Sequence, residues 1–375
     1  MRPISTDGKE VREYIISGKG LKFLLPVSSK KEVKMMKKIF LFLTVVCIGL
    51  AFVSMNALES QAAPIKLTYS NFFPPSHIQA KLADAWCKEI EKRTSGRVKI
   101  EHYPGQTLTK AKQVYDGVVE GLSDIGFCLF GYNRGRFPLI EVVDLPIGYP
   151  SGTVATKVAN AVADKFKPKE LSDVQVMYLH AHGPGLLHTR DKAVKTLADI
   201  KGLRIRSHGT TAKVVKALGG TTVTMPMPEL YQALQKGVVD GALYPIEVNK
   251  GWRMAEVIKY CTLDLSIANT STFYVVMNKG KWAALPADIK KIITQINKEW
   301  IPKHGAAWDS SDEEGRKYML SKGRKFITLP EAELAKWKKV VHPVLGEYVK
   351  ATKAKGLPAQ EALDYTVKAL AEYSK

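Results

Sequence analysis

The sequence is poor in cysteine. Its four, Cys47, Cys87, Cys128 and Cys261, form no CxxC pair and stand in no register with histidine that a zinc site requires. For the three cysteines downstream of residue 62, two states stay open: one disulfide with a free thiol, or three buried thiols. No apolar run reaches the roughly 20 residues that a membrane-spanning helix needs. GxSxG, Walker and dinucleotide fingerprints are also lacking, so the sequence offers no anchor for a hydrolase, nucleotide-dependent or NAD-linked enzyme. The expectation is a non-enzyme with no catalytic residue, cofactor or metal. Acidic side chains are outnumbered, 36 Asp+Glu against 56 Lys+Arg, for a formal net charge of +20. The lysines are spread along helical patterns without an aromatic-interleaved basic motif, so the charge reads as solvated faces with mild attraction for anions, not as a nucleic-acid surface.

What the N-terminal region does have is an export pattern. Lys37 and Lys38 precede the largely apolar run Ile39 to Val53, and Ser60-Gln61-Ala62 supplies the small-x-small pattern of a signal-peptidase site. We expect cleavage after Ala62 and a periplasmic chain that does not span the membrane when mature. Cys47 follows Val45-Val46 without the small residue of a lipid-acceptor site, which argues against a lipoprotein. Residues 1–34 read as an upstream extension, with translation starting at Met35 or Met36, and residues 35–62 as the signal peptide; a genuinely long leader is the alternative. Removing residues 1–62 leaves 46 basic and 31 acidic side chains, so the mature chain stays basic.

An internal duplication organises the remainder. Val114-Tyr115-Asp116-Gly117-Val118-Val119-Glu120-Gly121 through Asp124 resembles Leu230-Tyr231-Gln232-Ala233-Leu234-Gln235-Lys236-Gly237 through Asp240 at a constant offset of 116. Each copy predicts a helix, a glycine that ends it, and a short strand after the aspartate. Two similar α/β lobes with parallel sheets follow from the βαβ order. The first opens with strand Ile65 to Ser70 and a helix for which Ser76 and Gln79 fit a capping box, with an apolar stripe at Ile78, Leu82, Trp86 and Ile90. A long helix beginning near Pro286 is predicted to kink or break at Pro302. Helices are expected near Glu331 to Lys353 and Pro358 to Ser374. The lobe boundaries are set at 63–184 plus 273–312, and at 185–272 plus 313–375.

In the second lobe, the strand through Leu203-Arg204-Ile205-Arg206 ends in an arginine and runs through Ser207-His208-Gly209 into a helical pattern. A guanidinium donates two parallel hydrogen bonds to one carboxylate, and the N–H groups of a helix start favour the same charge. Arg206 is therefore the candidate anchor for an organic acid in an interlobe cleft. Phe72, Phe73, Phe130, Tyr132, Tyr244 and Trp252 are candidate pocket walls, each with ordinary core as its alternative. Glu247 and Asn249 follow Tyr244 closely. His182 and His188 flank Gly183-Pro184-Gly185 and His208 follows the arginine strand; their spacing fits hydrogen bonding at a cleft rim, for His182 and His208 at the ligand, better than metal ligation.

Tyr103-Pro104-Gly105-Gln106-Thr107-Leu108, Phe137-Pro138-Leu139-Ile140-Glu141-Val142-Val143-Asp144-Leu145-Pro146, the Arg206 segment and Met225-Pro226-Met227-Pro228-Glu229-Leu230-Tyr231 together resemble the solute-binding subunits of tripartite ATP-independent periplasmic (TRAP) transporters of the dicarboxylate-binding, DctP-like type. The resemblance covers essentially the whole mature chain. It implies a two-lobed α/β fold of the type II-like periplasmic binding class, with lobes joined by crossing strands and a long C-terminal helix. It implies further that Arg206 salt-bridges the ligand carboxylate and that the ligand passes to a sodium-coupled membrane permease. Around Gly183 to Leu187 this chain lacks the second arginine of the family's sialic-acid branch, and Tyr244-Pro245 stands where that branch has Asn-Pro. Both departures point to a small monocarboxylate, aromatic or a 2-oxo acid. An ABC-type binding protein, a sensor ectodomain held by an uncleaved leader, and an enzyme acting on a cleft-bound acid are the alternatives; a monomer and a homodimer are both compatible with the sequence.

Overall fold

The computed structural model describes residues 63–375 and, ahead of them, three short strands and parts of a helix between positions 31 and 44. Those strands, β1 (Ile4–Thr6), β2 (Lys9–Ile15) and β3 (Lys22–Pro26), pair antiparallel in sequence order. The Ser60-Gln61-Ala62 cleavage pattern and most of the apolar run before it lie outside the described residues.

From residue 64 onward the chain builds two sheets. The first has the spatial order β5 (Val98–Tyr103), β4 (Ile65–Asn71), β6 (Ile125–Leu129), β13 (Thr272–Asn278), β7 (Val174–Ala181). The second runs β10 (Thr221–Thr224), β9 (Arg204–Ser207), β11 (Gly241–Pro245), β8 (Gly185–Thr189), β12 (Tyr260–Leu263), β14 (Lys325–Thr328). Both copies of the repeat fold alike: helices Val114–Val119 and Met227–Gln235 are followed by Gly121 and Gly237 in left-handed backbone, at φ 80° and 68°, and then by β6 and β11. Only glycine enters that region without a steric cost, which is why the repeat retains it at both helix ends.

The sheets are mixed where purely parallel sheets were expected. The βαβ pairs are parallel, but β13 lies antiparallel to β6 and β7, and β8 antiparallel to β11 and β12. These are the two strands that enter each sheet from the opposite lobe. The crossing segments run side by side and are tied by Gly185 N–H donating to the Asn269 carbonyl at 2.8 Å.

Helix starts and stops depart from expectation in three places. His77, not Ser76, caps helix Ile78–Arg93, its Nδ1 accepting from Gln79 N–H. The Gln79 side chain is instead drawn into the core, where its Oε1 meets His304 Nδ1. The buried face is accordingly turned to Gln79, Ala83, Trp86, Cys87 and Ile90, leaving Ile78 exposed. The long helix Ala287–Ser321 runs through Pro302 without a break. Pro302 and Lys298, whose carbonyl loses its partner, both face solvent, so water replaces the missing hydrogen bond. A break falls at His342-Pro343 instead, dividing helix Glu331–Val341 from Pro343–Lys353. Helix Glu331–Val341 packs on second-lobe elements, but Ala359–Tyr373 packs on helix Gly152–Phe166 and the Ile140–Asp144 turn of the first lobe, so the stretch 313–375 does not belong wholly to the second. Cys87, Cys128 and Cys261 are all free and buried, which selects the three-thiol state.

The long helix packs on Ile78–Arg93, Gly152–Phe166 and β7 on one side and on the short helix Val248–Gly251 on the other, bracing both lobes. Contact with the second lobe depends on Gly315, where a Cβ would overlap the Ile246 carbonyl oxygen and lie 2.9 Å from Glu247 Cα. Gly315→Ala is expected to cost about 1–3 kcal/mol; a lowered midpoint in denaturant unfolding checks it, and an unchanged midpoint would show that this contact is loose.

Candidate functional site

Arg206 ends up where the sequence pattern put it, near the C-terminal end of β9, but its burial is complete. Nε–H donates to the Met225 carbonyl at 2.9 Å, and Nη2 lies 3.5 Å from the Tyr132 hydroxyl. Nη1 is buried without a protein acceptor among the described residues. Desolvation lowers the pKa of this guanidinium, as it must for a cation with no carboxylate beside it. The Tyr132 hydroxyl comes from the first lobe and also accepts Met227 N–H at 2.8 Å, so it fastens the lobes together beside the arginine.

Arg206 faces an internal cavity of about 30 Å³, measured to the centre of a water-sized sphere. One water needs roughly 10–15 Å³ on that measure, so the closed cleft is a tight slot. Phe72, Phe73 and Tyr132 line it from the first lobe; Arg206, His208, Tyr244, Glu247 and Trp252 line it from the second, with His182 at the crossing segment. The rings are ordered: Trp252 stacks on Phe72 at 6.1 Å and 23°, and Phe73 tilts against Phe72 at 4.2 Å. Arg206 is the only lysine or arginine in the lining. His182, its pKa lowered by burial to about 4, and His208, lowered well below its ordinary value by burial and by Arg206, supply no second cation at neutral pH.

Two of the predicted residues stand behind the wall. Phe130 packs against Phe137 and Tyr274 in the first-lobe core. Asn249 accepts from the Tyr244 hydroxyl at 3.2 Å and donates through Nδ2 to His188 Nε2 at 3.1 Å. The His188 ring lies flat on Tyr244, with centroids 3.9 Å apart, and its Nδ1 hydrogen bonds the Leu186 carbonyl. A neutral imidazole protonated on Nδ1 satisfies every partner, so His188 is a structural support for Tyr244, not a rim group. At the far end of the slot His77 and Glu247, both buried and from opposite lobes, meet at 3.0 Å.

The sequence reading missed Phe273 and Trp308, whose rings stack at 5.2 Å in the lining, together with Ser271, Asn269, Thr211 and Met227. Phe273 begins a strand just past a Thr-Ser-Thr run and was legible as core only. Trp308 arrives on the long helix, and nothing local in its sequence marks a cleft.

Two α/β lobes joined by paired crossing strands, with one buried cation facing an aromatic slot, define a two-lobed solute-binding protein. Residues 69–351 match the family described as bacterial extracellular solute-binding protein, family 7 (DctP), and the chain belongs to that family of TRAP solute-binding proteins. It is 30% identical to a TRAP solute-binding protein from Rhodoferax ferrireducens T118 in complex with copurified benzoate, at a TM-score of 0.78 over 83% of this chain and 98% of that one. A marine metagenome TRAP protein specific for aromatic acid ligands, with co-crystallized 3-hydroxybenzoate, is 28% identical at a TM-score of 0.80 over 84% and 100%. The C4-dicarboxylate-binding periplasmic protein of Rhodobacter capsulatus is 29% identical over 310 residues, 80% of this chain and 91% of the relative. These are solute-binding transport proteins, not enzymes. No helix among the described residues is long and apolar enough to cross a membrane.

The buried histidines set an acid limit. Desolvation lowers the His188 pKa to about 3 in the folded chain, against about 6.5 when unfolded. The unfolded state therefore takes up this proton first; the stability is fully present above pH 6.5 and is lost as pH falls from there toward 3. Between pH 6 and 4, the wild type should lose stability more steeply than His188→Gln, by about 1.4 kcal/mol per pH unit. Denaturant unfolding at several pH values reads the difference, and parallel slopes would mean that His188 titrates normally.

Proposed function

We propose that this protein is the periplasmic receptor of a TRAP transporter for a small aromatic monocarboxylate, which it encloses between its lobes and delivers to a sodium-coupled membrane permease. The carrying observation is a single buried guanidinium, with Nη1 unpartnered, facing a slot walled by aromatic rings. A carboxylate supplies the missing acceptors, and the ring system supplies the apolar surface that a flat ligand needs. Two solved relatives bind benzoate and 3-hydroxybenzoate, which supports the same class here. Export fits the leader pattern before Ala62, with the mature chain beginning at Ala63.

A C4-dicarboxylate is the second reading, favoured by the Rhodobacter relative. The lining offers no second cation for its other carboxylate, and leaving that charge desolvated and unpaired is costly. Titration calorimetry on protein unfolded, dialysed and refolded should give binding of benzoate and none of succinate. Arg206→Ala should lower benzoate affinity at least about thirtyfold, since removing one partner of a buried charge pair costs about 2–5 kcal/mol. Succinate binding with benzoate inert would overturn the aromatic reading, and unchanged affinity in Arg206→Ala would overturn the anchor.

A further inference from the structure

Arg206 accounts for a carboxylate, but it is not the only incompletely satisfied polar group on this slot. Ser271 also lines the cavity, is 1% exposed, and its Oγ has no hydrogen-bond partner among the described residues. Its neighbours behave differently. The Thr270 hydroxyl donates to the His182 carbonyl at 2.6 Å, and the Thr272 hydroxyl donates to the Asp144 carboxylate at 2.8 Å. Ser271 alone of this Thr-Ser-Thr run lines the slot, on the crossing segment just before Phe273, and it alone leaves its hydroxyl without a partner among the described residues. Although Thr211, Asn269, Glu247 and two histidines also line the slot, none of them bonds this hydroxyl, and burying it is costly unless something in the slot does.

We infer that the ligand carries a hydroxyl group in addition to its carboxylate, and that Ser271 is the specificity-determining residue that recognises it. This rests on the aromatic monocarboxylate reading and narrows it to hydroxylated aryl acids. Ser271 Oγ both donates and accepts, so it pairs with a ligand hydroxyl in either sense, whereas Arg206 can only donate. A site built to bond a ligand hydroxyl discriminates against the analogue lacking it far more sharply than an apolar pocket discriminates by size. The crossing segment is a suitable place for such a group, since its backbone is fixed by the Gly185 to Asn269 hydrogen bond and by the Thr272 to Asp144 pair. The hydroxyl is thus presented from a rigid element.

The test is calorimetry of the refolded protein and its Ser271→Ala variant against benzoate, the three monohydroxybenzoates and mandelate. Wild type should bind at least one hydroxylated acid about tenfold or more tighter than benzoate. Ser271→Ala should erase that advantage, bringing the affinity for the hydroxylated acids down to that for benzoate. Because Ser271 Oγ bonds nothing in the protein, the variant should melt at or above the wild-type temperature, which separates recognition from a folding defect. The inference is overturned if benzoate binds but no hydroxylated acid binds better, or if Ser271→Ala weakens all the acids alike. Failure of every aromatic acid to bind wild type would instead remove the aromatic reading, and this inference with it.

Discussion

A guanidinium buried without a carboxylate is the constraint around which this molecule is arranged. Arg206 is fully buried, yet the protein gives it one carbonyl and one distant hydroxyl. Isolated buried charges are destabilising unless hydrogen bonds and a counter-charge compensate them, and here the protein supplies only part of that compensation. Opening the lobes would let water solvate the arginine. Closing them makes the Tyr132 to Met227 hydrogen bond and the His77 to Glu247 contact, at opposite ends of the slot. Closure without an anion therefore sets interlobe contacts against desolvation of one cation, and an anion changes the sign of the second term.

The architecture serves that opposition. Each sheet takes in one antiparallel strand from the other lobe, so the two crossing segments lie together as a narrow, hydrogen-bonded strip. The long helix spans the same junction: Asp309 on it accepts from Gly152 and Thr153 N–H at the start of a first-lobe helix, while Asp312 accepts from Glu247 N–H in the second lobe at 2.8 Å. Burial holds the Asp312 pKa well above its ordinary value. One helix thus engages both lobes within a single turn, directly behind the slot.

Local chemistry was legible in the sequence, and long-range placement was not. The duplication at offset 116 foretold both helix-glycine-strand units, because a left-handed helix terminus leaves a glycine in the sequence. Arg206 was readable because a strand end followed by a helix start has few arrangements. Pro302 misled because propensity is blind to which face of a helix it occupies; on the solvent face, water repairs the lost bond. The capping residue was missed because Gln79, which completes the Ser76 pattern on paper, has a stronger claim from His304 in the folded core. Phe130 was a wall candidate for its apolar ring and Asn249 for its place just beyond Tyr244, yet the turn after β6 packs Phe130 against Phe137 and Tyr274 and the short helix Val248–Gly251 sets Asn249 behind Tyr244. Trp308 and Phe273 could be assigned to the cleft only once the long helix and the crossing strand were in place.

The distribution of groups between lobes carries the last step. The second lobe brings the cation together with Tyr244 and Trp252, while Phe72, Phe73 and Tyr132 belong to the first, so the full ring of aromatic walls meets the cation only where both lobes contribute. On the proposed reading, a ligand on the arginine reaches the first-lobe rings only when the lobes are together, and a ligand favours that form by its differential affinity for it. Moving a two-state equilibrium from about 1:99 to 99:1 requires roughly 5.5 kcal/mol of such preference. A buried charge pair contributes about 2–5 kcal/mol when judged by removing one partner. Burial of one aromatic ring, at about 25 cal/mol per Å² of apolar surface, contributes a comparable amount. Charge and ring in one small molecule therefore match what the two lobes present together.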